Sequence, residues 1–125
     1  MTTDNSKLLS LQSIAGIKVG TACAQIKQTE RDDLALFELA KQSTCAAVFT
    51  RNAFCAAPVT IAKQHLESTS PRFLLINSGN ANAGTGKSGL QNASSCCDAV
   101  AQLADCAANE VLPFSTGVKW QCFTR

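Results

Sequence analysis

The chain has 125 residues, of which 46% are hydrophobic and 16% are charged, and its formal net charge is +2. This length allows one domain at most, and the composition is typical of a globular protein rather than a disordered one. The small charge, the scattered basic residues and the absence of Tyr argue against nucleic-acid binding. No apolar run reaches the length of a membrane span, so we expect no membrane insertion.

The seven cysteines do not form a recognisable site in the sequence. Their number is odd, no pair has C-x-x-C spacing, and His65 is the single histidine. These features argue against a zinc site and against a disulfide framework. Most of the cysteines have Ala neighbours, which predicts buried, reduced thiols in a cytoplasmic protein. We expect His65 to be a surface side chain rather than a catalytic base.

The first half of the chain predicts mainly strands. Residues 1–13 are predicted to be a loosely held leader. Residues 17–23 alternate apolar and other side chains, as a strand does. Residues 34–39 fit a strand or a single helical turn, and 43–50 predict another strand. Residues 59–66 begin as a strand or open a helix.

The second half predicts a strand, a loop and a helix in succession. The apolar run Phe73–Ile76 predicts a buried strand, and the loop that follows holds four of the seven glycines. A helix is predicted over about 90–107 with Ser88 as its N-cap, and 111–114 predict a short extended segment. The apolar helix positions are Leu90, Ala93, Cys97, Val100, Ala101 and Ala104. Together these elements predict an α+β fold, with a sheet packed against helices.

One reading of the glycine-rich loop is a phosphate loop. Residues 81–88 read ANAGTGKS, in which backbone N–H groups would cradle phosphates, Lys87 would reach the β/γ oxygens and Ser88 would bind magnesium. Two features oppose this reading. Ala81 stands where the pattern has Gly, and no later strand ends in a metal-binding Asp. A small nucleotide-binding module is therefore the alternative hypothesis.

A second candidate site is the pair Thr116 and Gly117. A Thr hydroxyl and a neighbouring Gly N–H are both donors, and together they can form an oxyanion hole. Composition alone does not distinguish this from a glycine in a turn.

Several segments of the chain resemble the ornithine acetyltransferase family, also called glutamate N-acetyltransferases, of arginine biosynthesis. They are ordered and spaced as in that family and cover roughly residues 14–118. The matching segments are GIK at 16–18, QIK at 25–27, RDDLALFELA at 31–40, AAVFTRNAFCAAPV at 46–59, LLINSGNANAGTGKSGL at 74–90 and VLPFSTGV at 111–118.

The resemblance implies a fold and a mechanism. Members are self-processing enzymes that cut themselves at an Ala-Thr bond, and the freed threonine becomes the nucleophile. It takes acetyl from N-acetylornithine and passes it to glutamate, and some members also use acetyl-CoA. The resemblance implies a heterotetramer of α and β chains without a metal or bound cofactor. It assigns the oxyanion hole to Thr116 and Gly117, and it makes the glycine-rich loop structural.

The chain departs from the family after Val118. Members continue with Ile-Gly-Glu, whereas residues 119–125 read KWQCFTR, and no Thr in the chain follows an Ala. We therefore expect a divergent tail that reflects a frameshift or a truncation, and a nucleophile that lies outside this chain. Residues 14–118 would be the N-terminal part of the family's α chain, inactive in isolation.

Overall fold

The computed structural model describes residues 12–27 and 30–117 and has an α+β fold. The divergent tail and nearly all of the predicted leader lie outside the described residues. The sheet has four strands in the order β1-β2-β3-β4. The elements are β1 (Ile17–Ala22), β2 (Leu34–Leu39), α1 (Ala57–Ser68), β3 (Phe73–Asn77), α2 (Gly86–Ala104), a 3-10 turn (Ala108–Glu110) and β4 (Val111–Ser115).

The sheet is mixed, and this arrangement brings the ends of two strands together at one edge. β2 runs antiparallel to both β1 and β3, whereas β3 and β4 are parallel. Parallel neighbours need a crossover connection, which α2 supplies between β3 and β4. The carboxyl ends of β3 and β4 therefore meet at one edge, where Asn77 lies opposite Ser115.

The core lies between α2 and the second half of the sheet. Phe73 and Val111 of the strands cluster with Cys97 and Ala101 of α2. Ala93, Cys97 and Ala101 repeat at four-residue steps and are buried, so one stripe of small side chains faces the sheet. The predicted small-faced helix is confirmed, and its small side chains allow close packing on the strands.

The helix α1 resolves the ambiguous prediction for residues 59–66 in favour of a helix. Pro58 lies in its first turn, where the missing N–H does no harm. The prediction of a surface side chain for His65 is wrong. His65 is half-buried, and its Nδ1 lies 2.8 Å from the carbonyl oxygen of Val111. His65 therefore ties α1 to the start of β4.

The strand predicted over 43–50 is absent from the structure. This segment has irregular backbone, and its Val48 side chain is 99% exposed. Residues with high β propensity form a strand when the edge of a neighbouring strand pairs with them and other side chains pack over them. Val48 has no such cover, so its β propensity has no effect.

The helix α2 begins earlier than predicted. Its N-cap is Thr85 rather than Ser88, and Ser88 lies in the first turn, where its Oγ donates a 2.9 Å hydrogen bond to the Thr85 carbonyl. It ends at Asp105, which has the left-handed φ of 51° that often closes a helix. No helix in residues 12–27 and 30–117 combines the length and apolarity that crossing a bilayer requires.

The cysteines are less buried than their small neighbours suggested. None of the six described cysteines is in a disulfide, and Cys97 is the buried one. Cys23, Cys45 and Cys96 are exposed, so the prediction of buried thiols is wrong for them. The adjacent Cys96 and Cys97 face different directions, as successive positions on a helix require.

Candidate oxyanion site

Thr116 and Gly117 follow β4 directly and lie beside the end of β3. The Thr116 amide donates a 3.0 Å hydrogen bond to the carbonyl oxygen of Asn77, the last residue of β3. This bond extends the pairing of β3 and β4 one residue beyond the Asn77–Ser115 pair. Both Thr116 and Gly117 are exposed residues.

Gly117 is in close contact with the glycine-rich loop. Its φ is +126°, and a Cβ atom at this position would lie 2.5 Å from the carbonyl carbon of Gly79 and 2.8 Å from the amide nitrogen of Asn80. A real Cβ atom does not fit at these distances, and the conformation suits glycine alone. The site therefore requires glycine for both space and backbone angle.

Asn77 joins the ends of both strands to the loop. Its Nδ2 donates a 2.8 Å hydrogen bond to the carbonyl of Asn80, and its Oδ1 accepts a 2.5 Å hydrogen bond from the Ser115 hydroxyl. The side chain thus uses its donor and its acceptor on two different segments. Sequence reasoning missed this residue, although polar residues at the ends of two predicted strands were the available signal.

The other side of the loop is anchored to the connection between β1 and β2. The Ser78 amide donates a 2.8 Å hydrogen bond to the Asp33 carbonyl. The Asp33 carboxylate in turn accepts hydrogen bonds of 2.7 and 2.6 Å from the amides of Ala24 and Ile26. Asp33 therefore shapes the segment that lies against the glycine-rich loop.

A cavity of about 380 Å³ opens beside Gly117. This volume is within the range of small-molecule pockets, and the lining carries charges of both signs. The Thr21 hydroxyl donates to one of these charges, the Asp32 carboxylate, over 2.5 Å. The lining residues are Lys27, Arg31, Asp32, Asp33, Ser78, Gly79 and Gly117. Gly117 thus lines a space that could hold a small polar substrate, whereas Thr116 is not part of its lining.

The interior of the suspected phosphate loop is filled by Asn82. This side chain is 2% exposed, donates a 2.9 Å hydrogen bond to the Gly89 carbonyl and accepts a 2.6 Å hydrogen bond from the Thr85 hydroxyl. The backbone N–H of Asn82 donates a 2.7 Å hydrogen bond to Asn80 Oδ1. The loop is therefore organised around its own asparagines.

Lys87 and Ser88, the two residues expected to contact phosphate and magnesium, are exposed in the first turn of α2. Neither residue lines the cavity beside Gly117. The structure thus brings the glycine-rich loop together with Thr116 and Gly117, through Asn77, Gly79 and Asn80 rather than through Lys87 and Ser88.

Three curated proteins with similar sequences bear the name arginine biosynthesis bifunctional protein ArgJ. The protein of Methylococcus capsulatus is 60% identical over 110 residues, which are 88% of this chain. Those of Pseudomonas syringae and Psychrobacter arcticus are 50% and 47% identical over 89% and 87% of this chain. The chain spans 27%, about a quarter, of the length of each.

Two solved structures have the same fold. The arginine biosynthesis bifunctional protein ArgJ of Bacillus halodurans aligns over 86% of this chain and 56% of its own, with a TM-score of 0.80 and 29% identity. The ornithine acetyltransferase of Mycobacterium tuberculosis, in complex with ornithine, aligns over 87% and 60%, with a TM-score of 0.80 and 36% identity.

The comparison with family profiles gives a match over most of the chain. The profile described as the ArgJ family covers residues 18–122. This range includes β1 except for Ile17, the other three strands, both helices and the Thr116–Gly117 pair. The chain belongs to the ArgJ family.

Proposed function

We propose that this chain supplies the oxyanion-stabilising donors for acetyl transfer from N-acetylornithine to glutamate. The observation that carries the proposal is the contact of Gly117 with the backbone of Gly79 and Asn80, beside a cavity of about 380 Å³. A glycine fixed at φ +126° by close contact is held by its surroundings, whereas a turn glycine in open solvent is not. Preorganised donors of this kind stabilise developing negative charge.

The reaction would proceed in two balanced steps. A hydroxyl nucleophile attacks the acetyl carbonyl of N-acetylornithine, a C–O bond forms, and the carbonyl electron pair moves onto oxygen. Thr116 Oγ–H and the Gly117 N–H would donate hydrogen bonds to that oxyanion. The proton of the nucleophile's hydroxyl passes to the amide nitrogen, and collapse breaks the C–N bond, which releases ornithine and leaves the acetyl ester. The glutamate amine then attacks the ester carbonyl, and the same donors stabilise the second intermediate. Its collapse breaks the C–O bond, and the amine's proton returns to the nucleophile's oxygen, which gives N-acetylglutamate and the free hydroxyl.

The nucleophile is proposed to lie outside this sequence. The family's nucleophile is a threonine freed at an Ala-Thr bond, and none of the threonines in the chain follows an alanine. We therefore propose that the 125-residue chain alone does not transfer acetyl groups. A heterotetramer of α and β chains, and acetyl-CoA as a second donor, belong to the same proposal. None of the six cysteines that the structure describes is in a disulfide, which supports a reducing, cytoplasmic location.

A chimera tests the proposal. Residues 18–117 of this chain would replace the matching segment of the Methylococcus capsulatus relative, and transfer from N-acetylornithine to glutamate would be measured. We expect an active parent chimera. Thr116→Val keeps the shape of the side chain but removes the hydroxyl donor, so kcat should fall about 10²–10³-fold with little change in KM.

Thr116→Ser keeps a hydroxyl at this position and is the matched control. Its kcat should lie within about 10-fold of the parent's, which is a smaller loss than the removal of one donor causes. An inactive parent chimera that folds with native cooperativity would contradict the proposed function. Full activity in Thr116→Val would contradict the role of the hydroxyl. Measurable transfer by the purified 125-residue chain would contradict the proposal that the nucleophile lies elsewhere.

A further inference from the structure

The structure assigns Asn77 as the positioning residue for the two oxyanion donors. The inference rests on the proposed function, because it concerns the same site. Asn77 is the last residue of β3 and lies opposite Ser115, the last residue of β4, in the parallel register. It touches the segments on both sides of the donors and is itself outside the space beside Gly117.

Asn77 joins the end of β4 to the glycine-rich loop through three hydrogen bonds. Its backbone carbonyl accepts from the Thr116 amide at 3.0 Å, and its Oδ1 accepts from the Ser115 hydroxyl at 2.5 Å. Its Nδ2 donates to the Asn80 carbonyl at 2.8 Å. The first two bonds fix the end of β4, and the third fixes the loop on which Gly117 rests.

These contacts act on the donors because of how Gly117 is seated. Its α carbon lies so close to Gly79 and Asn80 that an added Cβ would overlap their backbone. A shift of the 79–80 backbone would therefore move Gly117 and its N–H. Since Asn77 holds both the loop and the end of β4, one side chain sets the distance between them.

An asparagine is suited to this position by its chemistry. A carboxamide offers a donor and an acceptor at its two ends, so it can bridge a carbonyl and a hydroxyl. Asn77→Asp keeps the acceptor for Ser115 but places a negative charge against the Asn80 carbonyl. Ser115→Ala removes the bond to Oδ1 and leaves the bond to Asn80. The two variants separate the two ends of the side chain.

The first test measures hydrogen exchange by NMR in the full 125-residue chain. In Asn77→Ala the Thr116 amide should exchange at least 10-fold faster. The Leu39 amide, which donates to the Arg72 carbonyl at 2.8 Å, serves as the reference in the same sheet and should change less than 2-fold. Asn92→Ala in α2 is the matched control and should leave both rates unchanged. Ser115→Ala should increase the exchange rate of the Thr116 amide about 3-fold.

An unchanged exchange rate of the Thr116 amide would overturn the inference. Equal acceleration of the Thr116 and Leu39 amides would also overturn it, because that result indicates general destabilisation of the sheet. If Asn77→Ala does not fold, the exchange rates of the Thr116 and Leu39 amides are compared in Ser115→Ala and Asn77→Asp instead. These rates do not depend on acetyl transfer. They therefore test the positioning even if the parent chimera is inactive and the proposed function fails.

The second test measures kinetics in the active chimera. Misplaced donors weaken transition-state stabilisation alone, so Asn77→Ala should lower kcat 10–100-fold with KM within 2-fold. Asn92→Ala should leave both constants unchanged. An increase in KM at unchanged kcat would overturn the inference, because it would assign Asn77 to substrate binding instead.

Discussion

Gly117 and Gly79 meet backbone to backbone, so closely that a Cβ atom on Gly117 would lie 2.5 Å from the Gly79 carbonyl carbon. One glycine follows β4 and the other belongs to the loop after β3. The contact explains why a glycine-rich loop and a distant Thr-Gly pair act as one structural unit. It also means that the backbone of the loop limits the position of Gly117.

Gly117→Ala should destabilise the fold as well as the site. The substitution combines a left-handed φ of +126° with overlap against backbone atoms that have little room to move. We expect a loss of about 1–3 kcal/mol in the free energy of unfolding, measured by urea denaturation. Gly20→Ala is the matched control, because an added Cβ there meets nothing within 4 Å. It should change stability by less than about 1 kcal/mol, and an equal loss in both variants would refute the explanation.

Asn82→Ala should be among the more damaging polar substitutions. It removes a buried carboxamide that bonds to the Gly89 carbonyl and to the Thr85 hydroxyl. Leaving such groups unpaired costs about 1–3 kcal/mol each, so we expect a loss of about 2–4 kcal/mol by urea denaturation. Asn82 has a positive φ of 48°, so Asn82→Gly separates the backbone contribution from the lost hydrogen bonds.

If the hydrogen bonds dominate, Asn82→Gly should recover less than half of that loss. Recovery of nearly all of it would assign the role to backbone conformation instead. Asn92→Ala in α2 controls for the loss of an amide group and should change stability by about 0.5 kcal/mol or less.

Cys97 should make stability fall in alkaline solution. Burial, with smaller contributions from the nearby Cys96 and Asp98, raises the pKa of its thiol from 9.0 to about 12. Above pH 9 the unfolded thiol loses its proton while the folded thiol keeps it, so the unfolded state is favoured as pH rises towards 12. The slope should reach at most about 1.4 kcal/mol per pH unit.

Urea denaturation at pH 7 to 11 measures this slope. Cys97→Ala should reduce the slope without abolishing it, since partial desolvation also raises the pKa of Cys96, although this residue is exposed, and of Cys106. Site-resolved iodoacetamide labelling at pH 8 should modify the exposed Cys45 and spare Cys97 in the folded chain. Equal labelling of the two would contradict the described burial.

Magnesium-ATP should not bind to the loop at 81–88. Asn82 occupies the loop interior, and Lys87 lies outside the cavity beside Gly117. Isothermal titration at millimolar ATP should therefore give no saturable heat, both for the native chain and for Lys87→Ala. Saturable binding that disappears in Lys87→Ala would establish the nucleotide-binding alternative.

The sequence predicted those parts of the fold that depend on local pattern. Residues 73–77 form the expected strand because an apolar run ends abruptly at polar residues. The segment at 43–50 was predicted wrongly because β propensity does not reveal whether a partner edge exists. The alanines next to Cys23 and Cys45 in the sequence likewise did not predict that these two cysteines are exposed.

The candidate site was only partly accessible to sequence reasoning. Thr116 and Gly117 stood out through the family resemblance, since a glycine after a strand is otherwise unremarkable. The partnership of Asn77 with Ser115 depends on parallel pairing across 38 residues, and its register is set by packing rather than by any local pattern.

The buried cluster of Phe73, Cys97, Ala101 and Val111 has a consequence for how the sequence can change over time. All four residues lie in the β3–α2–β4 unit, whereas every residue of β1 is exposed. Tolerance to substitution should therefore be asymmetric, with most intolerant positions between 73 and 117. This unit ends in the Thr116–Gly117 pair and contains Asn77, so homologous recombination could exchange residues 73–117 between relatives as one block and leave this pair with its structural support.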